Sequence, residues 1–345
     1  MLVFKKSVFS LSTEERKIFG SVFAKNKILM KVNITICICT FKRALMLRDL
    51  LLSLNGQRSG EYTFDVNVVD NDRFQSARQV VENVKNRLEY GVRYFCETEK
   101  NIAKARNKAV FNARGEYIVF IDDDEFPERG WLNFLVDTCR KQKVHGVLGP
   151  VLPCYDSSAP LWLKKSGLCD RKRFKTGTVL KNPALMRTGN VLLRRDIFSQ
   201  TLLFNERFGL SGGEDSDFFK EALCQGYSFV WCDEAPVYEH VPPERCTGSY
   251  HLKRALLRGA VNARRSGTRF NMPVIKSAAA VCVYTFALPF MIFAGRHFFM
   301  RYLVKNCDHL GRALGAVGIE PVKDRSFIKE SRGPDNKTKE ITGAI

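Results

Sequence analysis

Several things are missing from this 345-residue chain, and each absence removes a class of function. No strand-to-helix junction carries G-x-G-x-x-G, and G-x-x-x-x-G-K-[ST] occurs nowhere, so neither a dinucleotide-binding crossover nor a P-loop is supported. There is no CxxC pair and no cysteine–histidine spacing of the zinc type. The 11 cysteines, an odd number spread through apparent strands and helices, read instead as reduced, buried thiols in a cytosolic compartment. Residues 1–31 place Glu14, Glu15, Arg16 and Lys17 where a signal peptide needs its apolar core, so an N-terminal extension without a cleaved signal is expected. Acid is scarce as well: 36 Asp and Glu stand against 55 Lys and Arg, for a net charge of +19. Between His251 and Gly318 the single acid is Asp308, among 11 lysines and arginines. Such an imbalance points to anionic partners: nucleic acid, phosphorylated ligands or an acidic membrane surface.

What is present reads as an α/β protein. From Val32 onward, short apolar runs alternate with helical patterns, the signature of a mainly parallel sheet flanked by helices. Strands are expected at 32–40, 64–69, 92–96, 117–121, 146–150, 189–193 and 227–232, with a short extended segment at 236–240. Helices are expected at 43–54, up to about Leu88, and at 102–113, 131–143 and 216–225. Residues 155–187 carry prolines, glycines and bases with poor periodicity, as a substrate-shaped loop region would. In open α/β sheets ligands bind beyond the carboxyl ends of the strands, so Thr40, Asp70 and the run Asp122-Asp123-Asp124 should cluster.

That run of three aspartates ends the apolar stretch 117–121. Carboxylates at the mouth of a buried strand repel one another and resist desolvation, so a positive group normally sits between them. Asp122 and Asp124 are hard oxygen ligands suited to Mg²⁺ or Mn²⁺, which hold phosphates beside one or two carboxylates. Downstream, Gly212 and Gly213 permit a tight turn that exposes Glu214 and Asp215 at the opening of a helix, where an anion is favoured. Helix capping would use an aspartate there too.

The C-terminal third has a different character. Residues 252–265 form a basic helix with Leu252, Leu256 and Ala260 along one side, and 277–295 run 19 residues without a charge, interrupted by Pro289. Basic residues flank both ends, which favours a re-entrant or interfacial hairpin over a simple span. Because the basic cluster adjoins apolar rather than interleaved aromatic positions, a nucleic-acid partner is disfavoured and an anionic membrane surface preferred.

Taken in order, ITICICTFKR (34–43), VVDND (68–72), NIAKARN (101–107), FIDDDEFP (120–127) and GGEDSD (212–217) resemble the family 2 inverting glycosyltransferases, over residues 32–240. Within that family the chain is most similar to bacterial exopolysaccharide transferases of the succinoglycan glucosyltransferase type. The resemblance implies a GT-A fold over 32–250; the charge and apolar pattern after it gives a helical membrane-associated region over 251–320, and the polar composition of 321–345 a disordered tail. It also implies a nucleoside-diphosphate sugar donor, a UDP-sugar by default, contacted by Thr40, Arg43, Asp70, Arg106, Asn107 and Asp122, with Asp72 as the alternative to Asp70. Ala103 stands where the family's N-x-G-x-A-R-N segment usually has glycine. Metal ligation is implied for Asp122 and Asp124, with His240 as a further ligand, and the base is implied to be Asp215. Glu214, Asn190, Trp162 and Arg187 are expected on the acceptor side, which would receive a lipid-linked or growing glycan at the cytoplasmic membrane face.

The chemistry agrees with that assignment. Displacing a nucleoside diphosphate from an anomeric carbon builds charge on the leaving phosphate, which a divalent cation and an arginine stabilise, while the acceptor hydroxyl needs a base. In-line attack inverts the anomeric centre. Two other readings use the same residues or charge: hydrolysis of a sugar or phosphate by the carboxylates, and non-catalytic nucleic-acid binding.

Overall fold

A computed structural model describes residues 32–57, 62–210, 212–265 and 272–322. The expectations for residues 1–31, and for the tail beyond Val322, lie outside these.

The alternating pattern of the first half folds as four parallel strands: β1 (Val32–Thr40), β2 (Tyr62–Asp70), β3 (Gly91–Cys96) and β4 (Tyr117–Ile121). Together with β6 (Gly146–Leu148), β8 (Asn190–Arg194) and β9 (Phe229–Trp231) they build a seven-stranded sheet in the order β3-β2-β1-β4-β8-β6-β9. Only β8 runs antiparallel, pairing with both β4 and β6. A smaller sheet, β5-β10-β7, joins β5 (Glu125–Pro127), β10 (Val237–Val241) and β7 (Val151–Tyr155). The strand expected at 146–150 is the shorter β6, and β7 follows it at once in the other sheet.

Period-two alternation puts successive side chains of β1 on opposite faces. Ile34, Ile36 and Ile38 pack with the buried leucines of α1 (Ala44–Ser53) and with Trp131 of α4 (Trp131–Gln142). Cys37 faces the other layer, against Ala105 and Ala109 of α3 (Ile102–Phe111) and Phe218 and Phe219 of α6 (Glu214–Cys224). In α1, Leu47, Leu50 and Leu51 recur at helical spacing and are fully buried, each stabilising by roughly 1.5–3 kcal/mol. The remaining short helices are α2 (Arg78–Lys85) and, in the irregular 155–187 region, α5 (Leu161–Ser166). All 11 cysteines are unpaired, but only Cys37, Cys139 and Cys232 are buried, and Cys224 and Cys282 are exposed, so the buried-thiol expectation holds for a minority.

Three long helices complete the described chain: α7 (Gly248–Arg265), α8 (Met272–Ala294) and α9 (Arg296–Ala316). α7 and α9 lie parallel and nearly in backbone contact. A Cβ on Gly311 would stand 2.1 Å from the Leu256 carbonyl oxygen, and one on Gly259 2.0 Å from that of Asp308. The Gly311-x-x-x-Gly315 spacing is what permits this approach. α8 turns back on α9 through Gly295, with Tyr284 stacked on His309 and Asn306 donating to the Thr285 hydroxyl at 3.0 Å. Pro289 sits inside α8 without ending it. The helix is long and apolar enough to cross a membrane, and Val283, Phe286, Phe290 and Phe293 are exposed on it.

Candidate active site

Parallel pairing brings the strand ends together: Thr40 is in register with Asp70, and Cys37 with Phe120, one residue before the end of β4. The three aspartates leave β4 there, and the structure divides them. Asp123 turns inward, accepting from the Thr40 hydroxyl at 2.7 Å and from Arg43 Nη1 at 2.8 Å. Burial raises it to about 6 against the opposing charge of Arg43. The same Arg43 nitrogen donates to Asp124 Oδ2 at 2.9 Å. Asp122 opens on a cavity of about 610 Å³. Its side chain keeps 46% of its surface accessible, yet that surface faces the cavity, and burial reinforced by Asp124, Asp215 and Asp123 raises it to about 7 in spite of Arg106. Beneath it, the buried Glu125 accepts from the Asp122 amide at 3.1 Å, while its Oε1 has no partner. Burial, with Asp122 next, pushes the Glu125 carboxyl well up.

The other carboxylates come from α6. Gly213 at its N-cap has φ +107°, a left-handed conformation that suits glycine and lets Glu214 and Asp215 enter the first turn. Arg106 of α3 is 7% exposed and joins the two groups, donating from Nη1 to Glu214 Oε1 at 2.5 Å and Asp215 Oδ1 at 2.6 Å, with Nη2 3.9 Å from Asp122. Burial opposes its charge, but Asp215, Asp122 and Glu214 more than reverse this and raise it. Thr188 donates a second hydrogen bond to Asp215 Oδ1 at 2.9 Å, leaving Oδ2 without a hydrogen bond among the described residues. Asp215, Asp122 and Arg187 line the same cavity.

A carboxylate with one free oxygen, beside a second carboxylate and an arginine, can take a proton while anionic charge develops nearby. Among curated proteins, the chain is 31% identical over 307 residues to the succinoglycan biosynthesis protein ExoM of Rhizobium meliloti (strain 1021), covering 85% of this chain and 95% of that protein. The profile of Glycosyl transferase family 2 matches residues 35–202. The chain belongs to glycosyltransferase family 2. It is thus a glycosyltransferase, and the seven-stranded sheet with its flanking helices is the GT-A fold. A shorter stretch is 29% identical to the poly(ribitol-phosphate) beta-N-acetylglucosaminyltransferase TarS of Staphylococcus aureus (strain Mu50 / ATCC 700699), over 92 residues that make up 27% of this chain and 16% of that protein. The crystal structure of S. aureus TarS 1-349 in complex with UDP superimposes with a TM-score of 0.50 at 18% identity, covering 85% of this chain and 94% of that one. The complex with UDP-GlcNAc gives 0.50 at 17%, with the same coverages.

Within this family 2 transferase, several expected contacts are occupied otherwise. Asp70 is wholly buried and accepts from the amides of Asp72 and Ala77 and from the Tyr94 hydroxyl, so it pins the loop after β2 instead of facing a ligand. Asp72 accepts from the Phe74 amide in the same loop. Asn107 is clamped to the backbone of Phe204, donating to its carbonyl and accepting from its amide, both at 2.9 Å. Asn190 accepts from Trp131 Nε1 and donates to the carbonyls of Pro150 and Ala235, so its side-chain hydrogen bonds are committed to the fold. Trp162 packs with Leu163 and Met300 beneath the Arg296 guanidinium, away from the cavity. His240 faces Asp156 at 3.6 Å: along β10, Glu239 and Val241 line the cavity, so alternation points His240 the other way. Its backbone amide, not its ring, reaches Asp124, at 3.3 Å to the carbonyl.

No three His, Cys, Asp or Glu side chains converge as a metal cage among the described residues. A cation held chiefly by phosphates needs only one or two carboxylates, however, and the partnerless Glu125 oxygen beside the raised Asp122 marks an excess of negative charge that a cation would relieve. Asp122 and Asp124 therefore fit a phosphate-bound Mg²⁺ or Mn²⁺. Thr188 and Glu125 went unremarked in the sequence. Glu125 continues the acidic run, but nothing in a lone threonine signals a hydrogen bond to a carboxylate 27 residues later.

Proposed function

We propose that this transferase moves a sugar with inversion from a UDP-sugar to a lipid-linked or growing glycan in exopolysaccharide synthesis, at the cytoplasmic face of the membrane. The observation that carries this reading is Asp215, at the first turn of α6, opening with Asp122 onto one cavity and oriented by Arg106 and Thr188. The acceptor hydroxyl gives its proton to Asp215 as its oxygen attacks the anomeric carbon. The bond from that carbon to the phosphate oxygen breaks, and the nucleoside diphosphate leaves with the electron pair. Asp122 and Asp124 would hold Mg²⁺ or Mn²⁺, which supplies charge neutralisation for the leaving diphosphate. Arg106 keeps Glu214 and Asp215 fixed through the reaction, and the positive end of α6 stabilises the anionic base.

The UDP-sugar reading is supported by the TarS complexes with UDP and UDP-GlcNAc, and the polysaccharide reading by the likeness to ExoM. Membrane attachment is supported by α8, whose exposed phenylalanines stand among basic residues. In a test with purified full-length protein, Asp215→Asn should abolish transfer while UDP binding persists, and Asp124→Ala should weaken UDP binding in the presence of Mn²⁺. Full turnover by the Asp215→Asn protein would remove the base from the mechanism. Release of UDP at the same rate with and without acceptor would favour hydrolysis instead.

A further inference from the structure

The cavity that Asp122 and Asp215 open onto is lined by cations as well as carboxylates. Arg171 and Arg245 in the lining are paired with Glu239, while its α7 and α9 wall contributes Arg254 and Arg258, and Arg301 and Lys305. Each pair is spaced four residues apart, one turn on one face of its helix, and the close parallel packing of α7 on α9 sets the pairs side by side. Their charge is little compensated. Arg258 is bonded to Asp308 at 2.7 Å and Arg254 to the Tyr250 hydroxyl at 3.3 Å, whereas Arg301 and Lys305 have no acidic partner among the described residues. Beside them His251 lines the cavity, 5% exposed, with its Nε2 lacking any partner. Burial lowers that imidazole to about 4, so it is neutral and free to hydrogen-bond a ligand.

Of the expected donor contacts only Asp122 lines this cavity, and Thr40, Arg43 and Arg106 do not, so the cations of α7 and α9 are not among the residues expected to hold the nucleotide. Arg301 and Lys305 also line a second cavity, of about 410 Å³, with Met291, Ala294 and Phe298 between α8 and α9. These two cations thus stand where the catalytic cavity meets the apolar surface of α8. A neutral glycan has no use for such a wall, and a fatty headgroup alone would not need a path to Asp215.

Resting on the transferase reading above, we infer that Arg301 and Lys305, with Arg254, form a phosphate subsite for the acceptor. The anion of a lipid-linked glycan diphosphate lies on the cationic wall, its hydrocarbon follows α8, and its terminal sugar hydroxyl reaches Asp215. The subsite makes the phosphate a specificity element: acceptors lacking it lose affinity, not merely membrane anchorage.

The experiment measures binding of farnesyl diphosphate to the detergent-solubilised full-length protein, by calorimetry, with Mg²⁺ and saturating UDP present. Binding of farnesyl diphosphate but not of farnesol is expected, weakened at least tenfold in Arg301→Ala/Lys305→Ala and retained in Arg301→Lys/Lys305→Arg. UDP affinity and the thermal unfolding profile should be unchanged in both, which separates loss of the subsite from loss of the fold. Equal binding to wild type and the alanine variant overturns the subsite, as does displacement of farnesyl diphosphate by UDP. Equal competition by phosphatidylglycerol micelles also overturns it and assigns the cations to bilayer headgroups. Failure of UDP itself to bind would instead count against the donor reading, independently of the lipid result.

Discussion

Replacing Arg106 by methionine should destabilise this protein more than any comparable change at its surface. The guanidinium is buried between α3 and α6, 2.5 Å from Glu214 and 2.6 Å from Asp215, with Asp122 3.9 Å away. Its removal leaves two carboxylates with little solvent and no counter-charge, a situation that costs about 3–5 kcal/mol when one partner of a buried pair is deleted. Methionine fills much of the arginine stem's volume, so little of that figure reflects a cavity. Thermal unfolding should fall by roughly 6–20 °C, taking about 2–4 °C per kcal/mol for a domain approaching this size. The decisive comparison is the triple change Arg106→Met/Glu214→Gln/Asp215→Asn, which removes the orphaned charges and should recover most of the loss without restoring transfer. If Arg106→Met unfolds within about 1 °C of wild type, or if the triple change is no more stable than the single one, the charge argument fails.

Four other outcomes follow from the structure. Asp122, raised to about 7 from 3.8, keeps a proton in the folded protein that the unfolded chain has released. Its contribution to stability is complete below about pH 4 and lost as pH rises toward 7. The unliganded enzyme should therefore lose roughly 1–2 kcal/mol across that range, well below the full linkage value because its side chain keeps solvent access, and Asp122→Asn should flatten the profile. Metal-dependent UDP binding should run the other way, strengthening from pH 6 to pH 8 as Asp122 ionises, which titration calorimetry in that range would read. Asn190→Ala strips partners from Trp131, Pro150 and Ala235, and should cost about 2–4 kcal/mol in chemical denaturation while leaving the acceptor KM of the folded fraction unchanged. Gly311→Val cannot fit beside the Leu256 carbonyl, so α7 and α9 must part and the cationic wall with them, seen as lower thermal stability together with weaker farnesyl diphosphate binding.

The parts of the molecule legible in the sequence are those that periodicity and charge specify locally. Ile34, Ile36 and Ile38 announce β1 by alternation, and the leucines of α1 announce a helix by their spacing. The aspartates after β4 and Asp215 after two glycines were recognisable because carboxylates in such places are costly without a role. What stayed hidden depends on partners far away in sequence. Whether Asn107 faces a diphosphate or a backbone is decided by Phe204, 97 residues on, and Asn190 is claimed by Trp131, 59 residues before it. The antiparallel β8 and the three-residue β5 carry no periodic signal long enough to orient them.

The basic C-terminal third illustrates the same limit from the other side. Its net charge was plain, but charge alone could not separate a membrane-surface patch from one wall of the catalytic cavity. That distinction comes from packing: without glycine at 259 and 311 the backbones of α7 and α9 could not approach, and Arg254 and Arg258 would not share a wall with Arg301 and Lys305. The apolar α8 is joined to α9 through Gly295, so any surface that takes up α8 also positions the two cations that lead toward Asp215. On the proposed reading, membrane attachment and acceptor presentation would be one geometric event, because α8 and α9 would both meet the lipid and line the way to Asp215.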